Sequence, residues 1–307
     1  MKLTKMKTTS KIKFTTAAMA LTILMASCSK KDDKIFEESS TIRLETAKQE
    51  LRTDLKSSPE GWKLVYFPMS TEALSVVPGA NKSYSFLFKF TDDTHVQMKS
   101  TIDLTRLETS EYALKLGSTL KLEFSTYSIL HDLADASFEE PGMGGRAHGG
   151  EFEFLSYGRA DRDLIFQTNR KHVELRFERA TKEDWVDMNA TIGNILATDF
   201  VAPGYVFSAS RGGTKLKDSI LTFTTTDTKT VGLYTKTTNP TTGAVTKTLT
   251  RRAGLGYGTK GIYIMPGIEF EGKTFYFFQW DATNKKFVSK IGDITAEIAG
   301  TSDPKFL

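Results

Sequence analysis

Four aromatic rings fall on alternate residues in the segment Tyr84-Ser-Phe-Leu-Phe-Lys-Phe90. A spacing of two puts Tyr84, Phe86, Phe88 and Phe90 on one face of an extended chain but scatters them around a helix. The segment therefore predicts a strand with one face in a core. Trp62 to Phe67 carries the same alternation, and Asp92-Asp93 turns the chain from Phe90 toward Val96-Gln-Met98 as a hairpin. Further strands are predicted at Tyr112 to Leu116, Leu120 to Phe124, Glu151 to Tyr157, Leu164 to Gln167 and Val173 to Phe177. In the second half they fall at Tyr205 to Ser208, Ile220 to Thr224, Val231 to Thr235, Ala244 to Thr250, Ile262 to Met265, Thr274 to Trp280 and Phe287 to Ile291, with Asn239 to Gly243 as a hairpin loop.

Two segments change period. Ile42, Leu44, Ala47, Leu51 and Leu55 recur at helical spacing, which predicts an amphipathic helix over 40–57 stopped by Ser57-Ser58-Pro59-Glu60-Gly61. A second helix is predicted from Lys182 to Leu196, with Thr181 as N-cap, Asp184 three residues on, and Trp185, Met188, Ile192 and Ile195 on one face. Ser128 to Ala136 suits a short helix. The expected fold is mainly β with a few helices: two helix-plus-antiparallel-β units, over 40–180 and 181–307, each a sandwich or half-open barrel.

The N-terminus has its own grammar. Lys2, Lys5, Lys7, Lys11 and Lys13 precede an uncharged apolar run from Phe14 to Ala26, and small residues then lead into Cys28, the single cysteine of the 307 residues. This is the pattern of a lipoprotein signal peptide, 1–27, with Cys28 as the lipidated residue and 28–39 as a charged tether. The run is too short to span a bilayer as a helix, so acyl chains on Cys28 are the expected membrane attachment. Removing 1–27 also removes five lysines and no acid, so 36 basic residues face 37 acidic ones and the net charge of +4 becomes −1. The basic face that nucleic-acid binding needs is then missing from the composition. A lone cysteine excludes a disulfide framework, and its lipidation excludes thiol catalysis.

The lipobox, the tether Ser29-Lys-Lys-Asp-Asp33 and the segments "IFEESSTIRL", "SSPEGWKLVYFP", "YSFLFKFTDD" and "LEFSTYSILHDLAD" resemble a family of Bacteroidetes lipoproteins classified as a domain of unknown function, over roughly Cys28 to Ala180. The resemblance implies a lipid-anchored, cell-surface location on the outer membrane, in a nutrient-acquisition setting beside starch-utilisation-type importers. It supplies no catalytic residue.

The remaining motifs support binding more than catalysis. His95, His131, His148 and His172 are scattered without metal-ligand spacing; His131 and Asp135 are the one local pair. The loop Gly142-Met-Gly-Gly-Arg-Ala-His-Gly-Gly150 is glycine-rich and basic but lacks the Gly-Lys-Ser/Thr ending of a phosphate loop and precedes a strand. It reads as a mobile loop or a ligand-contacting flap that presents Arg146 and His148. Glu139-Glu140 and Glu151 with Glu153 are the acids from which a glycoside hydrolase pair would be drawn. Tyr257, within Gly254 to Gly258, and Trp280, before Asp281, are aromatics expected in or beside loops, with Arg251 as a donor to an anionic ligand. No cofactor is implied. The expected function is a non-enzymatic accessory lipoprotein binding a glycan, a peptide or an importer subunit. Its rivals are a structural subunit of an outer-membrane complex and a surface hydrolase.

Overall fold

The computed structural model describes residues 39–68, 82–135, 137–138, 149–225 and 229–306. Sixteen strands follow one another in two meanders, and each meander closes on itself. The first contains β1 (Trp62–Tyr66), β2 (Tyr84–Phe90), β3 (His95–Ser100), β4 (Leu107–Leu116), β5 (Leu120–Phe124), β6 (Glu153–Ala160), β7 (Asp163–Thr168) and β8 (Glu174–Arg179). Every neighbour pair is antiparallel, and β1 pairs with β8 through Trp62↔Arg179, Lys63↔Glu178 and Leu64↔Phe177. The second contains β9 (Gly204–Arg211), β10 (Thr214–Thr224), β11 (Thr230–Thr238), β12 (Val245–Tyr257), β13 (Gly261–Phe270), β14 (Lys273–Asp281), β15 (Lys286–Ile291) and β16 (Ile294–Thr301), with β16 paired to β9 along eight residues.

The sheets are thus closed barrels, which corrects the expectation of sandwiches or half-open barrels. Closure pairs every strand with two neighbours, so open edges remain only where a strand runs past the barrel. Eight strands enclose an interior that side chains can fill, and here rings fill it. Phe88 packs on Phe124 and Phe177 at centroid distances of 5.2 and 5.3 Å, and Phe166 meets Phe177 at 4.8 Å. Bulges bend the walls, one between Ser156 and Arg159 and another between Lys215 and Lys217.

Helical segments contribute to both cores. Helix α1 (Ser40–Lys56) sends Leu51 and Leu55 into the first core, and the Trp62 indole donates to the Leu55 carbonyl at 2.7 Å. The predicted 182–196 helix is broken in two. α2 (Lys182–Val186) opens with the expected capping box between Thr181 and Asp184, then Asp187 turns extended. α3 (Ala190–Asn194) follows and runs on as one π-turn, Ile195–Asp199, so Ile192 and Phe200 join the second core while Met188 packs with Leu87 and Ala180 outside the first.

Both barrels belong to the unit Ala47–Leu307, and a strip of buried charge joins them. Lys63 points outward from β1 yet is 1% exposed: its ammonium donates to Asp184 at 2.9 Å, to the Met188 carbonyl and to the Gly258 carbonyl at 3.3 Å. Glu178, outward on β8, accepts from the Tyr263 hydroxyl at 2.6 Å and from the backbone N–H and hydroxyl of Thr259. Asp163, on β7, takes Arg176 at 3.2 Å and Lys260 at 3.1 Å. The turn between β12 and β13 therefore lies against β1, β8 and β7. Glycine is required at its base, because a Cβ on Gly258 would stand 2.7 Å from the Glu178 carboxylate.

Candidate functional site

The register of the first barrel sorts its loops to two ends. Trp62, Phe90 and Leu116 lie at the α1 end, whereas Tyr66, Tyr84, Phe124 and Glu153 lie at the other. After β5 the chain enters that second end with a 3-10 turn, His131–Ala134, that buries Ile129, Leu130 and Leu133 in the core and stops it like a plug. The first barrel's interior is filled by its own side chains, so space for a ligand at this end lies outside it. A cavity of about 300 Å³ lies there, lined by Ala134, Glu151, Phe152, Glu153, Asn169 and Arg170, within the size range of small-ligand sites.

Its polar walls are held in place from outside. Glu153 is fixed by Lys121 at 2.8 Å and by the Asn169 amide at 2.7 Å. The Arg170 guanidinium donates to the Gly150 carbonyl at 2.8 Å while its backbone N–H donates to Glu151 Oε2 at 2.7 Å. Glu151 is 3% exposed, and its own backbone N–H is anchored on the Tyr66 hydroxyl at 2.8 Å. Its second oxygen, Oε1, is buried with no hydrogen-bond donor among the described residues. Leaving such an oxygen unmatched costs about 1–3 kcal/mol, more for a charged group. Burial raises the Tyr66 phenol far above its ordinary range, so it remains a neutral hydroxyl, and burial lowers the ammonium of neighbouring Lys171.

An aromatic stack borders the cavity. Phe152, from the lining, lies 4.1 Å from the His131 ring at 24°, and His131 lies 5.5 Å from Tyr127 at 28°. Tyr127 is 62% exposed and its hydroxyl reaches Asp135 at 3.2 Å, which leaves a ring face open to solvent. Burial foremost lowers the affinity of His131 for a proton. An exposed ring face beside convergent carboxylate, amide and guanidinium groups is suited to ligands that combine apolar faces with hydroxyl or amine donors.

The residues singled out from sequence are dispersed. Tyr257 is not in a loop but ends β12, 4% exposed in the second core with the Lys229 ammonium 4.4 Å above its ring. Trp280 lies in β14, where it packs on Phe200 and Phe287 at 5.7 and 4.9 Å. Arg251 sits in β12 near Glu269 at 4.0 Å, with its Nε buried and unmatched among the described residues. None of the three lines the cavity at the mouth of the first barrel. Glycine spacing suggested loops where the chain continues as strand. Arg146, His148, Glu139, Glu140 and Cys28 lie outside the described residues. Glu151 and Glu153 do come together in one cavity. His131 and Asp135 do not form a ligand pair, because the 3-10 turn ends at Ala134 and Asp135 turns to Ser137 and Tyr127; among the described residues no group of three His, Cys, Asp or Glu is placed to hold a metal. Asn169 and Arg170 carried no sequence signal beyond their turn between β7 and β8.

Two closed meander barrels in tandem, their interiors packed with aromatic and aliphatic side chains, carry a polar cavity at the mouth of the first. The chain belongs to the family described as Domain of unknown function (DUF4302), which matches residues 32–282. That span extends well past Ala180, through most of the second barrel, and stops before β15 and β16. No curated protein and no solved structure matches the chain.

Proposed function

We propose that this chain is a surface-anchored, non-enzymatic lipoprotein of nutrient acquisition that captures a polyhydroxylated ligand, a glycan, at the mouth of the first barrel. The observation that carries this reading is the buried Oε1 of Glu151, unmatched among the described residues, in the wall of a cavity whose other polar groups are already oriented. A hydroxyl donor from the ligand supplies the missing bond, and the Tyr127–His131–Phe152 stack offers a face for a sugar ring. The signal peptide and Cys28 support anchoring by acyl chains on the outer membrane, beside an importer that receives the ligand.

Calorimetric titration of the purified chain with neutral oligosaccharides tests the site. Glu151→Gln should weaken binding about tenfold, the loss of a hydrogen bond to a charged group; Asn169→Ala and Phe152→Ala should also weaken it, the first by freeing Glu153 and the second by removing a ring face. Binding that all three variants leave unchanged places the ligand elsewhere. Cys28→Ala should abolish labelled fatty-acid incorporation and release the protein from the membrane. Copurification from detergent-solubilised membrane then shows whether importer subunits accompany it.

A hydrolase is the second reading, favoured by Glu151 and Glu153 sharing one cavity. Each is tied to a cation, Arg170 or Lys121, an arrangement that orients acceptors. Release of new reducing ends, lost in Glu151→Gln, would establish the hydrolase instead.

A further inference from the structure

A second cavity, of about 510 Å³, lies on the flank of the second barrel. There β11 and β12 continue past the barrel as a two-stranded ribbon, pairing Thr235↔Thr248, Lys236↔Lys247, Thr237↔Thr246 and Thr238↔Val245. Nearly every residue of 235–248 is exposed. A two-stranded ribbon with both faces in water gains little from burial and is marginal alone. Its register adds a further cost by setting Lys236 directly opposite Lys247, a like-charge pair on one face.

That face is the one turned to the cavity. Tyr234, Lys236, Thr238 and Val245 share it by alternation and all line the cavity. Across from them stand Asp218 and Lys305, 3.3 Å apart. From Lys229 to Ile268 the sequence holds six Lys and Arg and no Asp or Glu. Lys260 reaches Asp163, Arg251 approaches Glu269, and Lys229 covers Tyr257. Lys236, Lys247 and Arg252 have no carboxylate partner among the described residues, and the Lys236 ammonium donates to the Pro304 carbonyl at 2.7 Å. The one acid in the lining, Asp218, already serves Lys305.

We propose that this cleft is a second ligand site, separate from the first-barrel mouth, that binds a short acidic glycan. One ligand carboxylate meets Lys236 in the cavity lining and the next reaches Lys247, which lies beyond the lining but pairs across the ribbon from Lys236 on the same face, so their repulsion is relieved; Ile220, Val245 and Phe306 take the apolar ring faces. Concavity selects an oligosaccharide over a flat anionic bilayer, and the volume is in the range for a ligand of a few rings.

Titration of the full chain with trigalacturonate, and with maltotriose as its neutral counterpart, tests the site. Trigalacturonate should bind at least tenfold tighter, and the difference should shrink as salt is raised. Lys236→Gln with Lys247→Gln should abolish the preference while leaving neutral-oligosaccharide binding unchanged, which separates this site from the one at the barrel mouth. Lys247→Glu provides a control for folding: it should raise the melting temperature by removing the like-charge pair and still eliminate trigalacturonate binding. Equal affinity for both sugars, a preference that survives the double variant, or binding to phosphatidylglycerol vesicles without binding to trigalacturonate would overturn the assignment.

Discussion

Lys63 and Glu178 stand directly opposite each other on β1 and β8, at the seam that closes the first barrel, and no ion pair joins them among the described residues. Each charge turns instead toward the rest of the chain. Lys63 meets Asp184 and the Gly258 carbonyl, and Glu178 meets Thr259 and Tyr263. The seam of one barrel is therefore also the docking strip for the other. Removing one partner of charges this deeply buried leaves the other uncompensated.

Removing one member should expose that dependence. Lys63→Met leaves Asp184 buried without its cation and should destabilise the chain by about 3–5 kcal/mol. Urea denaturation, followed by tryptophan fluorescence, measures the loss. A change below 1 kcal/mol would show that the strip contributes little.

The turn that meets Glu178 is equally constrained. Tyr263→Phe removes the donor 2.6 Å from a carboxylate that is itself buried and should cost about 1–3 kcal/mol. Gly258→Ala drives a methyl group toward the same carboxylate and should cost a similar amount through overpacking. Because both act on one contact, their effects in the double variant should fall short of the sum, which a double-mutant cycle reads directly.

Stability should fall in alkali. Burial pushes the phenols of Tyr112 and Tyr257 up to about 12, and burial together with Glu178 raises Tyr263 well above the ordinary 10.0. The folded chain then keeps protons that the unfolded chain releases, so this contribution is whole below pH 10 and is lost as the pH climbs above it. Tyrosinate absorbance should show these rings titrating above the ordinary range of an exposed phenol.

The matched family span ends at Ala282, in the turn after β14, and a chain cut there lacks β15 and β16. Its β9 then keeps β10 on one side and has an open edge on the other. Such a chain should aggregate, and in hydrogen exchange β9 should lose protection first.

Much of this architecture was readable in the chain. Alternating rings locate β2, and alternating Leu120, Leu122 and Phe124 locate β5, because a filled barrel needs one apolar face per strand. β16 escaped notice because Ile294, Ala296 and Ile298 alternate with Thr295, Glu297 and Ala299, a weak contrast between small residues. Barrel closure was hidden for a different reason: the pairs β1 with β8 and β9 with β16 join segments far apart in sequence. Lys63 reads as a solvent-facing residue between Trp62 and Leu64, since nothing local announces the second barrel that covers it. The mouth cavity was half visible, through Glu151 and Glu153; Asn169 and Arg170 arrive there only when β7 and β8 fold beside β6.

The closing pairs also impose an order in time. A chain emerging from its N-terminus can complete the first barrel once Arg179 is available, because β8 then finds β1 already waiting. The second cannot be sealed until Ile294 to Thr301 emerge, so β9 remains an unsatisfied edge through the synthesis of seven further strands. During that interval the finished first barrel, with Lys63 and Glu178 in place along its seam, is the surface on which the β12–β13 turn can settle, and the earlier domain serves as the mould for the later one.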